Sequence, residues 1–136
     1  MKFVVDSNVL FTFFWENSVF RNLPVKLDLM LYSPEYALEE INKYASEIIR
    51  KTGISEEEFN KLKEELAFRV MFISLTEYQL FIKKAKSLIQ NSEILSDIDF
   101  IALAIKLNCP IWSNDKLLKS LSKIDVLNTG DIISLL

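Results

Sequence analysis

Short runs of β-branched and aromatic residues alternate along the chain with longer stretches in which apolar residues recur at helical spacing. The short runs predict five strands, at residues 2–5, 29–32, 70–74, 110–113 and 126–127. The longer stretches predict helices at about residues 9–16, 35–51, 55–68, 76–90, 97–107 and 116–121, with a last helical turn after residue 129. Because strands separated by helices pair in parallel, this order predicts an α/β fold: a three-layer α/β/α sandwich with a central, mostly parallel sheet of about five strands.

The chain of 136 residues has the size of one compact domain, and residues 35–68 would add a charged helical arm to it. Ser55 and Thr76 each stand three residues before a Glu or Gln, which is the spacing of a capping box, so we expect both to begin helices. Ser96 and Thr129 are expected to cap the helices that follow them.

Two aspartates follow predicted strands directly. Asp6 comes after the strand at residues 2–5, and Asp115 comes after the strand at residues 110–113. Ligands of a parallel sheet bind beyond the carboxyl ends of its strands, so both acids belong on the edge where a site is expected. Either aspartate could instead only cap the helix after it. Two such acids on one edge, in a chain without histidine, favour a site for a hard cation.

Two predicted helices carry further carboxylates near their apolar faces. Glu40 lies at the border of the apolar stripe of its helix, whereas Glu39 points away from that stripe and is expected to be solvated. Asp97 falls inside an apolar stripe, where an unpaired acid costs free energy, although a helix cap would also explain it. Asp99 faces elsewhere, and it is a candidate additional ligand if the first turn of its helix is irregular.

The composition excludes several classes of chemistry. The chain has no histidine, which rules out Ser-His-Asp and Cys-His catalysis and any zinc site built on imidazole. A net charge of −3 and a pI near 5.1 argue against a protein that simply wraps a nucleic-acid backbone, but not against an enzyme that concentrates acids in one pocket. No apolar run reaches the ~18 residues of a membrane span, and Asp6 interrupts the stretch that a signal peptide would need, so we expect a cytoplasmic protein.

Four short motifs stand in order around the four acids. They are Val4-Val5-Asp6-Ser7-Asn8, Ala37-Leu38-Glu39-Glu40-Ile41, Asp97 with alanines five and seven residues later, and Ile111-Trp112-Ser113-Asn114-Asp115. Together they resemble the acidic motifs of PIN domains, and the resemblance extends over nearly the whole chain. In the second motif, the position before the aliphatic residue selects Glu40. The strand-end and stripe arguments select the same four acids independently.

The resemblance implies a VapC-like, metal-dependent ribonuclease that hydrolyses phosphodiester bonds at Asp6, Glu40, Asp97 and Asp115. Four carboxylates in one site would repel each other, and oxygen-only ligands favour Mg²⁺ or Mn²⁺ as the neutralising ion. In this hypothesis the three aspartates bind the main ion, and Glu40 binds a second ion or orients the attacking water.

Accessory roles fall to polar residues beside the acids. Asn8 and Ser113 would hold carboxylates or a substrate phosphate, and Lys116 would contact the RNA backbone at the rim. The resemblance also implies a homodimer and, for the toxin of a toxin–antitoxin pair, an antitoxin peptide as partner. RNA-processing nucleases carry the same motifs. The aromatic segment at residues 11–15 agrees with an interface, because not every side of one helix can be buried in a monomer.

Three other interpretations compete with the ribonuclease. A phosphatase with Asp6 as nucleophile usually has a second aspartate two residues later, where this chain has Asn8. A non-catalytic PIN-like interaction module is the main alternative, but degenerate members typically lose acids, and all four are present. A structural domain in which every acid is only a cap requires four coincidences.

Overall fold

The structure, a computed structural model, describes residues 1–23, 28–89, 96–121 and 123–136. This described part contains five strands: β1 (Lys2–Val5), β2 (Met30–Pro34), β3 (Val70–Ile73), β4 (Ile111–Trp112) and β5 (Val126–Leu127). They form one sheet in the order β3-β2-β1-β4-β5, and every neighbouring pair is parallel. The predicted α/β/α architecture with about five parallel strands is confirmed.

Helices connect the strands and cover the sheet. Their bounds are α1 (Ser7–Thr12), α2 (Val19–Asn22), α3 (Glu35–Lys43), α4 (Ala45–Thr52), α5 (Glu56–Arg69), α6 (Leu75–Tyr78), α7 (Ile82–Leu88), α8 (Ile98–Leu107), α9 (Lys116–Leu121) and α10 (Thr129–Ser134). A 3-10 turn, Gln79–Phe81, joins α6 to α7. Among the described residues, no helix is both long and apolar enough to cross a membrane.

The order of the strands reverses at the centre of the sheet. From β1 the chain adds β2 and then β3 on one side, and it returns to add β4 and then β5 on the other. Ligands of open parallel sheets bind at such a reversal, in the crevice beyond the carboxyl ends of the two central strands. Here these strands are β1 and β4, which end immediately before Asp6 and Ser113.

The core explains why these central strands hold their positions. Val4, Val5 and Trp112 are fully buried, and α8 packs against β1, β2 and β4 with every residue from Phe100 to Ala104 buried. A helix that is apolar on nearly all sides must be enclosed, because exposing it would cost the hydrophobic free energy of each side chain. The first turn of α8 is therefore held firmly at the sheet edge.

The helical arm at residues 35–68 differs from its prediction in one respect. A single helix was expected over residues 35–51, but α3 ends at Lys43 and α4 begins at Ala45. Tyr44, between them, has φ −99° and ψ 13°, outside the helical region. The expected stop at Gly53 is confirmed, because Gly53 adopts a left-handed φ of 75°. Ser55 caps α5 as predicted, since its Oγ accepts a hydrogen bond from the Glu58 amide at 3.0 Å.

Three predicted caps, at Thr76, Ser96 and Thr129, and the bounds of two predicted helices are wrong. Ser74, not Thr76, occupies the cap position of α6, and the helix expected over residues 76–90 is divided by the 3-10 turn; its predicted end at Gln90 lies outside the described residues. Asn128, not Thr129, caps α10, because its side chain and that of Asp131 exchange reciprocal hydrogen bonds with the backbone. The first helix also ends earlier than expected, at Thr12.

Candidate functional site

The carboxylate of Asp6 lies at the carboxyl end of β1, in the centre of the sheet. Its amide still donates a ladder hydrogen bond to the carbonyl of Trp112 (3.0 Å), and its side chain is buried. Oδ1 accepts a hydrogen bond from the Ser7 amide (2.8 Å), and Oδ2 accepts one from Ser113 Oγ (2.6 Å). Burial raises the pKa of the Asp6 carboxyl, and the two hydrogen bonds oppose that rise.

Ser113 joins Asp6 to Asp115 across the sheet edge. Its buried hydroxyl donates to Asp6 Oδ2 and accepts from the amide of Asp115 (3.0 Å). Asp115 Oδ1 accepts from the amides of Leu117 and Leu118 at the start of α9 (2.9 and 3.3 Å), so the capping interpretation of Asp115 holds for this oxygen. Among the described residues, Asp115 Oδ2 accepts no hydrogen bond and is available to a ligand.

Glu40 reaches the same edge from α3. The hydroxyl of Ser7 donates to Glu40 Oε1 at 2.7 Å, and Ser7 itself is buried. Glu40 is half-buried, whereas Glu39 is exposed, as their positions around the helix predicted. Ser7 was missed as a site residue by sequence reasoning, although its place directly after Asp6 puts its side chain on the turn that faces α3.

Asp97 stands at the cap position of α8, which Ser96 was expected to occupy, and its side chain makes no capping hydrogen bond. In the described part of the chain its carboxylate has no hydrogen-bond donor at all. Burial, reinforced by the negative charges of Asp6, Asp115 and Glu40, raises the pKa of Asp97 to about 7. Asp97 is therefore half-buried in an apolar surrounding and faces three like charges.

Within the part of the chain that the structure describes, no lysine or arginine neutralises these four carboxylates. Within the described residues, the ion pairs are Lys51–Glu47, Lys106–Glu77 and Lys119–Asp131, so none of the four acids has a lysine or arginine partner. Carboxylates gathered without a counter-charge destabilise one another unless protons or a bound cation compensate them. Oxygen ligands of this kind suit a hard divalent cation.

Comparison with known proteins shows the family and the fold of this chain. The PIN-domain family model matches residues 4–127, which is most of the chain. This chain belongs to the PIN-domain family. None of the curated proteins compared with it matches its sequence. Among solved structures, it resembles a chain in the crystal structure of VapBC2 from Rickettsia felis bound to a DNA fragment from the VapBC2 promoter. The two share 16% sequence identity with a TM-score of 0.67, over 94% of this chain and 98% of the other, which shows a common fold.

A fifth acid of this PIN domain, Asp99, accepts a hydrogen bond from a tyrosine side chain. The hydroxyl of Tyr78 donates to Asp99 Oδ2 at 2.9 Å. Tyr78 is buried, and burial together with the negative charge of Asp99 raises its pKa, so the hydroxyl stays protonated and remains a donor. Sequence reasoning missed Tyr78, because its role depends on Asp99, which faces it from another helix.

Two further residues selected from the sequence are solvent-exposed. Asn8 lies on the outer side of α1 and Lys116 begins α9, and in the described part of the chain neither side chain makes a hydrogen bond or an ion pair. Asn8 therefore holds no carboxylate here, unlike Ser113. Both side chains are free to contact a molecule that approaches the edge of the sheet.

The four carboxylates of this PIN domain do not form a closed metal cage. Among the described residues, no three side chains of the types that bind metals are grouped so as to hold one ion together. Mg²⁺ keeps several waters and is typically bound through one or two carboxylates. These four acids fit such an ion if one or two of them bind it directly and the others contact its waters.

Proposed function

We propose that this PIN domain is a Mg²⁺- or Mn²⁺-dependent endoribonuclease that hydrolyses phosphodiester bonds at Asp6, Glu40, Asp97 and Asp115. One observation carries the proposal: four carboxylates from two strand ends and two helices converge at the central crevice, and no cation of the described protein neutralises them. Evolution of a stable fold alone would not favour such a group, since the neighbouring negative charges help to raise the pKa of Asp6 and of Asp97.

Asp6, Asp97 and Asp115 would hold the main ion, one or two of them directly and the rest through its bound waters. Glu40 would hold a second ion or orient the attacking water, and Asp99 would be an additional, outer ligand. A bound divalent ion would stabilise the negative charge that develops on the phosphate during hydrolysis. The donor atoms that have no hydrogen bond in the described structure, on Asp97 and at Asp115 Oδ2, are the ones best placed to receive it.

The other residues would position these acids and the RNA. Ser113 fixes Asp6 and the backbone of Asp115 at one distance, because a single hydroxyl binds both. Ser7 fixes Oε1 of Glu40 and leaves Oε2 able to accept a hydrogen bond from water. Lys116 and Asn8, exposed at the rim, would bind phosphate oxygens of the substrate.

We propose that residues 1–136 act as one nuclease unit in the cytoplasm, as the toxin of a toxin–antitoxin pair or as an RNA-processing enzyme. The likeness to a chain of VapBC2 supports the toxin role and an antitoxin peptide as partner. Exposed apolar side chains, among them Phe68 (92% exposed) and Leu80 (88%), support association with a second copy or with that peptide.

The decisive test is cleavage of a labelled single-stranded RNA by the natural chain, by Asp6→Asn and by Asp125→Asn. Asp125 is an exposed aspartate just before β5, at the opposite end of the strands, and serves as the matched control. We expect cutting with Mg²⁺ or Mn²⁺ but not with EDTA, a loss of at least about a hundredfold in Asp6→Asn, and no loss in Asp125→Asn. Absence of cutting by the natural chain, or equal cutting by Asp6→Asn, would contradict the proposal and favour the non-catalytic interaction module.

A further inference from the structure

Two side-chain contacts connect α6 to one face of α8. The hydroxyl of the buried Tyr78 donates a hydrogen bond to Asp99 Oδ2, in the first turn of α8, at 2.9 Å. Two turns further along, Lys106 Nζ donates to the backbone carbonyl and to the carboxylate of Glu77. Asp99 and Lys106 are seven residues apart, so they share the face of α8 that α6 contacts. Two neighbouring residues of α6 therefore bind the two ends of that face.

The contact at Asp99 lies beside an acid that has no hydrogen bond of its own. Asp97 is at the cap position of α8, and its side chain makes no capping hydrogen bond. Among the described residues, the bond from Tyr78 is the one side-chain hydrogen bond that reaches residues 97–100. The position of the Asp97 carboxylate therefore depends on the backbone at the start of α8. Apolar packing holds this helix against the sheet without a preferred direction, whereas a hydrogen bond fixes both distance and angle.

Core packing alone does not explain the hydroxyl of Tyr78. The residue is only 1% exposed, and a phenylalanine would fill the same space without a polar group that needs a partner. In the described part of the chain, the hydroxyl makes one hydrogen bond, and that bond ends on the first turn of α8. The ring therefore serves the core, and the hydroxyl serves the start of this helix.

We propose that Tyr78 is a positioning residue of the acidic site, which fixes the first turn of α8 through Asp99 and thereby fixes the Asp97 carboxylate. This inference rests on the proposed function, because it takes Asp97 as a ligand of the ion. Tyr78 occupies Oδ2 of Asp99, whereas Oδ1 accepts no hydrogen bond from the described residues and can still face the waters of the ion. Without the hydroxyl, the start of α8 moves more freely and the ion binds more weakly.

The first test follows the start of α8 in the absence of metal. In EDTA, amide hydrogen exchange measured by mass spectrometry reports how often the first two turns of α8 open. Tyr78→Phe keeps the ring and removes the hydroxyl, so these turns should exchange about two- to tenfold faster. Lys106→Met, which removes the other contact between α6 and α8, is the matched control. It should leave exchange at the start of α8 unchanged, because Lys106 lies two turns away.

The second test measures Mn²⁺ affinity by titration calorimetry, well below the melting temperature of each variant. Tyr78→Phe should bind Mn²⁺ about three- to tenfold more weakly, and Lys106→Met should bind it as the natural chain does. Asp99→Ala should lose at least as much affinity as Tyr78→Phe, and adding Tyr78→Phe to it should cause no further loss. Asp99→Asn should retain more affinity than Asp99→Ala, because its amide oxygen can still accept the hydrogen bond from Tyr78. A purely structural role would lower the melting temperature of Tyr78→Phe and leave its Mn²⁺ affinity unchanged.

The two proposals fail in different ways. Unchanged exchange at the start of α8 or unchanged Mn²⁺ affinity in Tyr78→Phe would overturn the positioning role, and so would a further loss on top of Asp99→Ala. In those cases the nuclease still stands if the natural chain cuts RNA and Asp6→Asn does not. If the natural chain cuts no RNA but its Mn²⁺ affinity depends on the Tyr78 hydroxyl, the positioning role stands and the nuclease proposal fails. Absence of Mn²⁺ binding by the natural chain would overturn both.

Discussion

The strand-borne and helix-borne acids of this PIN domain are held very differently. Asp6 and Asp115, at the ends of β1 and β4, are tied by hydrogen bonds to Ser113, to Ser7 and to the first turn of α9. Asp97, at the start of α8, has no donor among the described residues, and Glu40 has only Ser7. The strand-borne acids are therefore fixed before any ligand binds, whereas the helix-borne acids have carboxylate oxygens that accept no hydrogen bond from the described residues.

This difference explains why the pKa of Asp97 rises so far. Asp6 is more deeply buried than Asp97, yet two hydrogen bonds offset part of the desolvation of its charge. Asp97 has no such offset, and three like charges add to its burial. A carboxylate without hydrogen bonds from the protein keeps its full affinity for a cation. A carboxylate whose oxygens already accept hydrogen bonds mainly fixes the position of the site. Four variants or conditions test this division of roles.

The largest effect is expected from Asp97→Asn. Cleavage should fall at least about a hundredfold, as for loss of any direct ligand. In EDTA at pH 8 the melting temperature should rise, and rise more than in Asp6→Asn, because Asp97 has no hydrogen bond to lose and its charge is the less compensated. Glu39→Gln, on the exposed side of α3, is the control for charge removal alone. A lower melting temperature for Asp97→Asn would contradict the comparison.

Ser113→Ala should have the next largest effect. Loss of the hydroxyl releases Asp6 Oδ2 and the amide of Asp115 together, so Mn²⁺ affinity, measured by titration calorimetry, should fall about 10- to 100-fold. The free energy of unfolding should fall by about 1–3 kcal/mol, because buried partners lose their hydrogen bonds. Ser120→Ala, which removes an exposed hydroxyl on α9, should change neither. Unchanged Mn²⁺ affinity in Ser113→Ala would show that Asp6 and Asp115 bind the ion without being held in position by Ser113.

A series of measurements at different pH values tests the ionisation of Asp97, one of the two helix-borne acids. With a pKa of about 7, Asp97 is mostly protonated at pH 6 and mostly ionised at pH 8, so Mn²⁺ affinity should fall roughly tenfold between pH 8 and pH 6. Without metal, in EDTA, the free energy of unfolding should change in the opposite direction. Between about pH 4 and pH 7 Asp97 is protonated in the folded state but ionised in the unfolded state, so stability should fall as the pH rises. Both trends should become clearly smaller in Asp97→Asn, and the part of the stability trend that remains would belong to Asp6, whose pKa is also raised. Trends of unchanged size in that variant would contradict the role given to Asp97.

Ser7→Ala should have the smallest effect. The Glu40 carboxylate loses the one hydrogen bond that the described residues give it, but it is half-buried and water can replace the hydroxyl, so kcat should fall about two- to tenfold. Steady-state kinetics beside Ser113→Ala give the comparison. A larger loss in Ser7→Ala than in Ser113→Ala would reverse the proposed ranking of the two serines.

The sequence predicted the fold and the convergence of the acids because both depend on local rules. Asp6 and Asp115 were placed by the ends of their strands, and Asp97 and Glu40 by their angles around their helices. These rules need only the period of the backbone and the parallel order of the strands. The roles of the acids remain predictions.

The helix starts were predicted wrongly where two nearby residues can each cap the same helix. Ser74 and Thr76 can both begin α6, and Asn128 and Thr129 can both cap α10. The choice is made by tertiary contacts, such as the hydrogen bond from Trp112 Nε1 to Thr129 Oγ1. Ser7 and Tyr78 were missed for a related reason. Their roles depend on which element faces them across space, and sequence periodicity does not reveal that.

The bond between Ser113 and Asp6 joins residues 107 positions apart in the chain. β1 pairs with β2 early in the sequence, but its other edge stays open until β4 has been made. During synthesis, Asp6 and Glu40 therefore leave the ribosome well before the strand that completes their surroundings. The four acids can come together only after Asp115 has emerged from the exit tunnel. Under the proposed function, a growing chain that still lacks β4 and Asp115 would not have the complete site with which to cut RNA.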